Sequence, residues 1–409
     1  MKSKIISLIA ALVLAPSAFA VGVMTDRTWY LAGEAMRVNV TADDDLIAYA
    51  ELCDTKALVA GVVIGLNKGE GTGIIELPSD LHSGFYVLSA YTRNNTQVYQ
   101  QLVAIVNPLR KSINDDIKWM LGDRCWVVDD GEADLVSEKD ADVRETEGHI
   151  IKARVRNVND GNTFLASQIR PSLSIIGKQI HYFEGKMVDD STAIFYTFGI
   201  HGKLPLVLSA ISSTGVRLSI EMISPFATLL PKQLPHLVFH YKRSEVEARS
   251  LDMQRHQLSI GANGDNQATV APLDYNETVL GTKPDLTYNL DEYRQFLTVR
   301  EVLLEYVICV KNTRIDGVQR LIVRKEQDVY NSSLPTLVLI DGMPVNDVER
   351  LLNYDARRIH YINIYAGQYA FGNSVYNGIL SFVTRSGQLT NYPTEPNMQY
   401  LVYEFPDGF

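Results

Sequence analysis

Residues 337–385 read LVLIDGMPV (337–345), NDVERLLNYDARRIHYINIY (346–365) and AGQYAFGNSVYNGILSFVTR (366–385), and their punctuation sets the fold of the C-terminal part of the chain. The four apolar residues 337–340 make a short buried strand. Asp341-Gly342 caps it with a turn that admits positive φ, and Pro344 stops it. Asn346 is a good N-cap for a helix running through Arg358. The β-rich runs IHYINIY (359–365) and ILSFVTR (379–385) are two further strands, and Asn377-Gly378 before the last is a tight-turn signal. This order is β–α–β with a glycine turn before the final strand.

Around it, residues 290–307 (LDEYRQFLTVREVLLEYV) place Phe296, Val299, Leu303 and Val307 on one helical face, and RLIVRK (320–325) reads as a strand. Earlier segments are different in kind. MRVNVTA (36–42) alternates, and LIAYAELCD, LVAGVVIGL, GTGIIELP, GFYVLSAYT and VYQQLVAIVN follow as short β-rich runs between Gly, Asp and Asn turns. About seven strands at this spacing suit a sandwich. A second β-rich series, IIKARVRN, SLSIIGKQIHYFEGKM, STAIFYTF, LPLVLSAI and VRLSIEMI, spans 150–223. Between the two lies a polar, acidic stretch with Asp129-Asp130-Gly131-Glu132 and SEKDADVRETEG (137–148), read as exposed linker; it lacks the ligand spacing of a calcium loop. Residues 244–258 (SEVEARSLDMQRHQL) form the best helical stretch of the connector, and GANGDNQ then breaks it.

The start of the chain has a basic Lys2 and Lys4, an apolar run over 5–14 and Ala18-Phe19-Ala20, the pattern of a cleaved secretion signal. No later run approaches the roughly 20 apolar residues that cross a bilayer as a helix. The 409-residue chain has a net charge of −10, or −12 without Lys2 and Lys4. That acidity lacks the basic footprint of nucleic-acid binding and disfavours adhesion to an anionic membrane. Cys53, Cys125 and Cys309 are widely spaced, with no CxxC and no thioester-type Cys-Gly motif; they read as small buried hydrophobes, with a disulfide between two of them open in an exported chain. His236 and His240 are four apart, but Leu237 replaces the glutamate of a zinc-protease motif and Pro235 favours extended chain, so no metal site is expected. No nucleophile-elbow, P-loop or dinucleotide fingerprint appears, and no enzyme or cofactor is expected.

Three segments resemble known modules. DRTWYLAGEAMRV, LPSDLHSGFYVLSAYT and the closing IVNP are similar to the MG2 domain of bacterial macroglobulin-like proteins, with Tyr30 and Gly33-Glu34 marking its first hairpin. GHIIKARVRNVNDGN resembles the opening of a carboxypeptidase-regulatory-like sandwich. IDGMPV and the pair Phe371-Gly372 and Asn377-Gly378 resemble the plug domain of TonB-dependent outer-membrane receptors of the SusC type. Phe371 stands where that family usually has Tyr, and Ala366-Gly367 where it often has Lys-Gly. Together they resemble a Bacteroidetes family of exported proteins that join these modules, and NMQYLVYEFPDGF fits its closing β-run. Only 24 residues follow Arg385, too few for a receptor barrel, so the resemblance implies a plug without a barrel.

The expected architecture is therefore mostly β: tandem Ig-like β-sandwiches followed by a small α/β TonB-plug-like domain. Its parts are a signal peptide (1–20), an MG2-like sandwich (21–108), a polar linker (109–147), a carboxypeptidase-regulatory-like sandwich (148–226), a connector with a helix (227–285), the plug-like domain (286–387) and a tail (388–409). The candidate residues are Asp341, Gly342, Pro344, Phe371, Gly372, Asn377 and Gly378, with structural or partner-contact roles. The resemblance implies a non-enzymatic periplasmic or outer-membrane-associated protein that docks on an envelope partner, most sharply an outer-membrane β-barrel supplied in trans. A surface-exposed adhesin or glycan-binding sandwich is the alternative, and protease trapping is disfavoured by the missing thioester cysteine.

Overall fold

The computed structural model describes residues 21–42, 45–158, 165–177, 180–264, 283–315, 317–324, 334–371, 374–387, 389, 392, 395 and 397–407. The expected signal peptide, residues 1–20, lies outside the described residues. The chain is mostly β, with several sheets, and divides into two units: residues 21–146 with 228–258, and residues 147–227 with 259–407.

The first unit holds a two-sheet sandwich. One sheet has Ala35–Thr41 between Gly22–Thr25 and Glu70–Glu76; the other runs Trp29–Leu31, Tyr99–Val106, Gly84–Tyr91, Ile47–Cys53 and Leu58–Gly65. Strand Ala35–Thr41 buries Met36, Val38 and Val40 and turns Arg37 and Asn39 outward, the alternation of a strand with one face on the core. Tyr30, Leu52, Leu88 and Ile105 fill the space between the sheets.

A third sheet occupies segments expected to be linker and connector. Strands Trp126–Asp130 and Ile117–Leu121 flank His236–Tyr241, antiparallel and parallel respectively. Trp119 and Phe239 pack edge-to-face at 5.5 Å, and Trp29 tilts onto Phe239 at 5.0 Å. The polar-linker expectation for 109–147 is corrected here. Its short apolar alternations, Ile117/Trp119 and Cys125/Val127, are diluted by acidic neighbours yet bury against the cluster around Leu31 and Phe85. Helix α1, Arg243–Gly264, runs longer than the expected 244–258 and holds to the sandwich through Val246 and Met253.

The second unit contains another sandwich. One sheet is ordered Lys186–Met187, Thr192–Thr197, His149–Asn157, Leu218–Met222; the other His181–Glu184, Ile169–Ile175, Gly202–Ser212, Met398–Phe405. The last strand comes from the segment expected to be a tail. It lies on Gly202–Ser212 in an unbroken antiparallel ladder from Gly202↔Phe405 to Ser209↔Met398. Leu401, Tyr403 and Phe405 reach the sandwich core, so Met398–Phe405, expected to be tail, is a component of that fold.

Between these parts of the sandwich the chain makes an α/β layer. Its sheet is ordered Leu286–Asn289, Ile359–Phe371, Ser374–Thr384, Leu337–Ile340, Met343–Pro344. Leu337–Ile340 runs parallel to Ser374–Thr384, and the chain between them returns through a short helix and strand Ile359–Phe371, which is itself antiparallel to Ser374–Thr384. The expected helix over 290–307 shrinks to α2, Val299–Glu305, because Thr298 and Glu301 close a reciprocal capping box that starts the helix there. The expected helix from Asn346 to Arg358 becomes α3, Val348–Leu352, capped by Asp347 rather than Asn346, followed by a 3-10 turn at Ala356–Arg358.

Candidate functional site

The motif residues build the α/β layer from inside. Asp341 is fully buried with φ 46°, and Gly342 follows at φ 81°, so the turn after Leu337–Ile340 needs both the αL tolerance of Asp and the freedom of Gly. The Asp341 carboxylate accepts from Thr384 N at 2.7 Å, from Thr384 Oγ1 at 2.5 Å and from Leu389 N at 2.8 Å. It ties the end of Ser374–Thr384 to the segment that leads into the sandwich's last strand. Pro344 is buried opposite Leu339.

Asn377 and Gly378 are not at a turn. They lie inside strand Ser374–Thr384, where the register slips between Tyr365↔Ile379 and Gln368↔Asn377. A bulge of the glycine type takes positive φ as a tight hairpin turn does. Gly378 has φ 87°, and a Cβ there would meet Val323 Cβ at 2.8 Å. The Asn377 amide donates to Pro335 O at 2.8 Å. Gly372 lies outside the described residues.

Phe371, at the hairpin's tip, stacks edge-on with Tyr182 of the second sandwich, centroids 5.2 Å apart. The Tyr182 and Tyr376 hydroxyls are 3.3 Å apart, and Ser374 donates to Glu184 at 2.5 Å. Burial pushes the Glu184 carboxyl up and the Tyr182 phenol well above its usual range. The hairpin therefore uses its motif residues against a neighbouring domain of the same chain. Ile176 and Val207 of the sandwich share a core with Val338, Ile340 and Met343, and Asn346 donates to Ser209 at 3.1 Å.

An open site lies beside α2. A shallow cleft of about 10 Å³, open to solvent, has Leu290, Phe296, Val302 and Ala356 as its apolar lining, Tyr293 and Tyr306 as its aromatic one, and Arg294, Arg357 and Arg385 as its charges. Tyr293 and Tyr306 are 4.6 Å apart by centroid, and Phe296 is 5.4 Å from Tyr306. Lining residues include three guanidiniums and no carboxylate. Asp355 takes Arg357 in a bidentate pair at 2.8 and 2.9 Å, and Asp291 takes Arg385 at 2.6 Å and His360 at 3.2 Å. The arginine hydrogen bonds hold both carboxyls below the usual range. Leu297, next to lining Phe296, is 64% exposed. Sequence reasoning missed this set. The signal was the aromatic-arginine run TYNLDEYRQF with Arg357-Arg358, which reads as dispersed sheet packing until the fold gathers it.

His236 and His240 sit on one strand with separate neighbours: His236 contacts Asp116, and His240 stacks on Trp126 at 3.9 Å. Among the described residues, no three His, Cys, Asp or Glu side chains gather as a metal site. All three cysteines are free thiols. Burial raises the Cys53 thiol to about 12, which leaves it protonated and inert at neutral pH.

No protein-family model matches the chain, and no curated protein does. Solved structures similar to it include a biofilm-associated protein's BSP domain (12% identity, TM-score 0.18, over 54% of this chain and 30% of that one). Others are the native α2-macroglobulin of Escherichia coli (14% identity, TM-score 0.20, 52% and 14%) and the E. coli adhesin FdeC (15% identity, TM-score 0.18, 54% and 66%). The chain spans under a third of the first two. Superpositions this loose establish neither a shared fold nor a shared role.

Proposed function

We propose that this chain is a non-enzymatic cell-envelope interaction protein whose α/β domain, resembling a TonB-receptor plug, docks on a protein partner through the cleft beside α2. One observation carries the reading. The hairpin bearing the motif residues is already packed on the chain's own sandwich through Phe371, Tyr182 and Tyr376, while the aromatic, arginine-lined cleft stays open. Aromatic and Arg side chains are the types that dominate binding energy at protein interfaces. The arrangement favours docking on the surface of an envelope protein over insertion of a free plug into a barrel, because the sandwich travels with the α/β domain.

The test is in-cell crosslinking and affinity purification of the exported protein, with wild type compared with Tyr306→Ala and Arg294→Glu. Deleting 286–387 is unsuitable, since Ile176, Val207 and Met398 share that segment's core. A specific envelope protein that is recovered with wild type and lost with the cleft variants supports the reading. Recovery unaffected by both variants refutes docking through the cleft. Recovery of no protein moves the reading to the alternative, a surface adhesin or glycan-binding sandwich, tested by external protease accessibility and a glycan array.

A further inference from the structure

The hairpin of Ile359–Phe371 and Ser374–Thr384 has two parts, divided where its ladder slips between Tyr365↔Ile379 and Gln368↔Asn377. Before the slip, Ile362, Ile364, Leu380 and Phe382 are fixed in the α/β core. Beyond it the ladder runs from Gln368↔Asn377 to Phe371↔Ser374, and Gln368, Ala370 and Val375 face solvent. A bulge leaves a residue unpaired and bends the strand that carries it, so the slip is a natural hinge, with Gly367 and Gly378 on its two sides. The distal part closes on the second sandwich through one face. Tyr369, Phe371 and Tyr376 pack there with Ile180 and Tyr182, and the Phe371 ring lies 5.2 Å from Tyr182 and 6.1 Å from Tyr376.

A polar contact under this tip comes from Glu184, two positions beyond Tyr182 on the same strand. Its Oε1 accepts from Ser374 Oγ at 2.5 Å, while Oε2 is buried with no hydrogen-bond partner among the described residues. A neutral carboxyl sits in such a place at modest cost; an ionised one leaves part of its charge buried and unsolvated. Burial raises the Glu184 carboxyl, and the Ser374 hydrogen bond and the exposed Arg170 offset only part of that. The charged and titratable groups that face it are Arg170 on the neighbouring strand, Tyr182 on its own and Tyr376 on the hairpin. Burial holds both phenols above their usual range and a guanidinium keeps its charge, so Glu184 alone of the four changes charge between the carboxylate range and neutrality. His181 shares the core-facing side of the strand with Phe183, and burial lowers its imidazole.

We propose that the distal hairpin is a pH-dependent latch, closed on the sandwich while Glu184 is protonated and swung off about the bulge when Glu184 ionises, which uncovers Phe371, Tyr182 and Tyr376 as an aromatic surface. Ile176 and Val207 keep the rest of the α/β layer in place. A carboxyl raised in the closed state holds that state fully below the ordinary carboxylate value. Each pH unit above that value lowers the closed-to-open ratio by up to about tenfold, until the folded value is reached.

NMR of the full chain with labelled Phe and Tyr rings, titrated from the carboxylate range to above neutrality, tests this. Edge-on packing shifts the Phe371 and Tyr182 ring signals. In wild type they should move to solvent-exposed positions with a midpoint above the ordinary carboxylate range, while Phe382, inside the α/β core, stays still. Glu184→Gln keeps the shape and removes the ionisation, so its rings should hold the packed position at every pH, which also certifies its fold. Wild-type rings that stay packed to above neutrality overturn the inference. So does a transition that Glu184→Gln shares, which assigns the trigger to another group such as His181, or one in which Phe382 moves as well, which is unfolding of the domain. Neither result bears on docking through the cleft.

Discussion

Replacing Asp341 should unfold the second unit and spare the first. From described residues its carboxylate accepts three hydrogen bonds at 2.5–2.8 Å inside the protein. In Asp341→Ala the amides of Thr384 and Leu389 lose a charged acceptor in a buried setting, at about 1–3 kcal/mol each. An alanine at φ 46° adds roughly 1 kcal/mol of backbone strain. The sum, about 3–7 kcal/mol, is comparable with the whole stability of a domain. Asp341→Asn keeps one oxygen and the tolerance for positive φ, but its amide group faces donors, so about 2–3 kcal/mol is lost. All three tryptophans, Trp29, Trp119 and Trp126, belong to the first unit. Tryptophan fluorescence in a urea titration therefore reports that unit, and hydrogen exchange of strand Ser374–Thr384 reports the other. In Asp341→Ala the tryptophan transition should stay unmoved and the exchange midpoint should fall far below wild type, with Asp341→Asn between. An exchange midpoint equal to wild type would refute it, because the buried bonds would then contribute nothing.

Gly378→Ala should destabilise the second unit by about 2–4 kcal/mol, from positive φ and the meeting with Val323; a midpoint within error of wild type would remove the bulge from the account. In the first unit, buried Glu51 accepts from Tyr91 Oη at 2.9 Å and from the amides of Thr228 and Leu229 at 3.0 and 2.6 Å. Glu51→Ala should cost about 3–5 kcal/mol there, read by tryptophan fluorescence; an unchanged transition denies that this carboxylate holds the returning segment. Glu184 and Glu395 both have carboxyls raised, chiefly by burial. A raised folded pKa gives stability that is complete below the unfolded value and is lost as pH rises through the folded one. The second unit should therefore lose part of its stability between the ordinary carboxylate range and neutrality. Glu184→Gln should flatten that slope, and an identical pH profile in wild type and variant would sink the assignment.

What the sequence revealed follows from how local each signal is. The alternation in Ala35–Thr41 and the apolar run Leu337–Ile340 are each complete within one strand, and both are strands. Asn377-Gly378 announced a residue with positive φ correctly, but a turn and a bulge make the same local demand; the choice is made by Val323 and Tyr365, which come from elsewhere in the chain. Helix α2 starts late because the reciprocal Thr298–Glu301 cap outweighs the helical pattern of the residues before it. Strands Ile117–Leu121 and Trp126–Asp130 were hidden because acidic neighbours lower their mean hydropathy, while their burial depends on a partner more than a hundred residues later, His236–Tyr241. The cleft was illegible for the same reason: Tyr293 and Tyr306 share one segment, but Arg357 and Arg385 lie 51 and 79 residues beyond Tyr306.

The closing strand changes how the parts of the second unit can act. The chain leaves the sandwich, builds the α/β layer, and returns to finish the sandwich sheet with Met398–Phe405. Asp341 sits at the point of return, fixing Thr384 and Leu389. Ile176 and Val207 extend the α/β core into the sandwich, and Phe371, Tyr182 and Tyr376 hold the hairpin to it. A domain inserted in this way is tethered at both ends and packed between them, so its motions are coupled to the sandwich's stability. The α/β layer is then a rigid mount more than a mobile plug. Its cleft is presented in a fixed orientation relative to the sandwich, which would lower the entropy cost of the docking proposed for it.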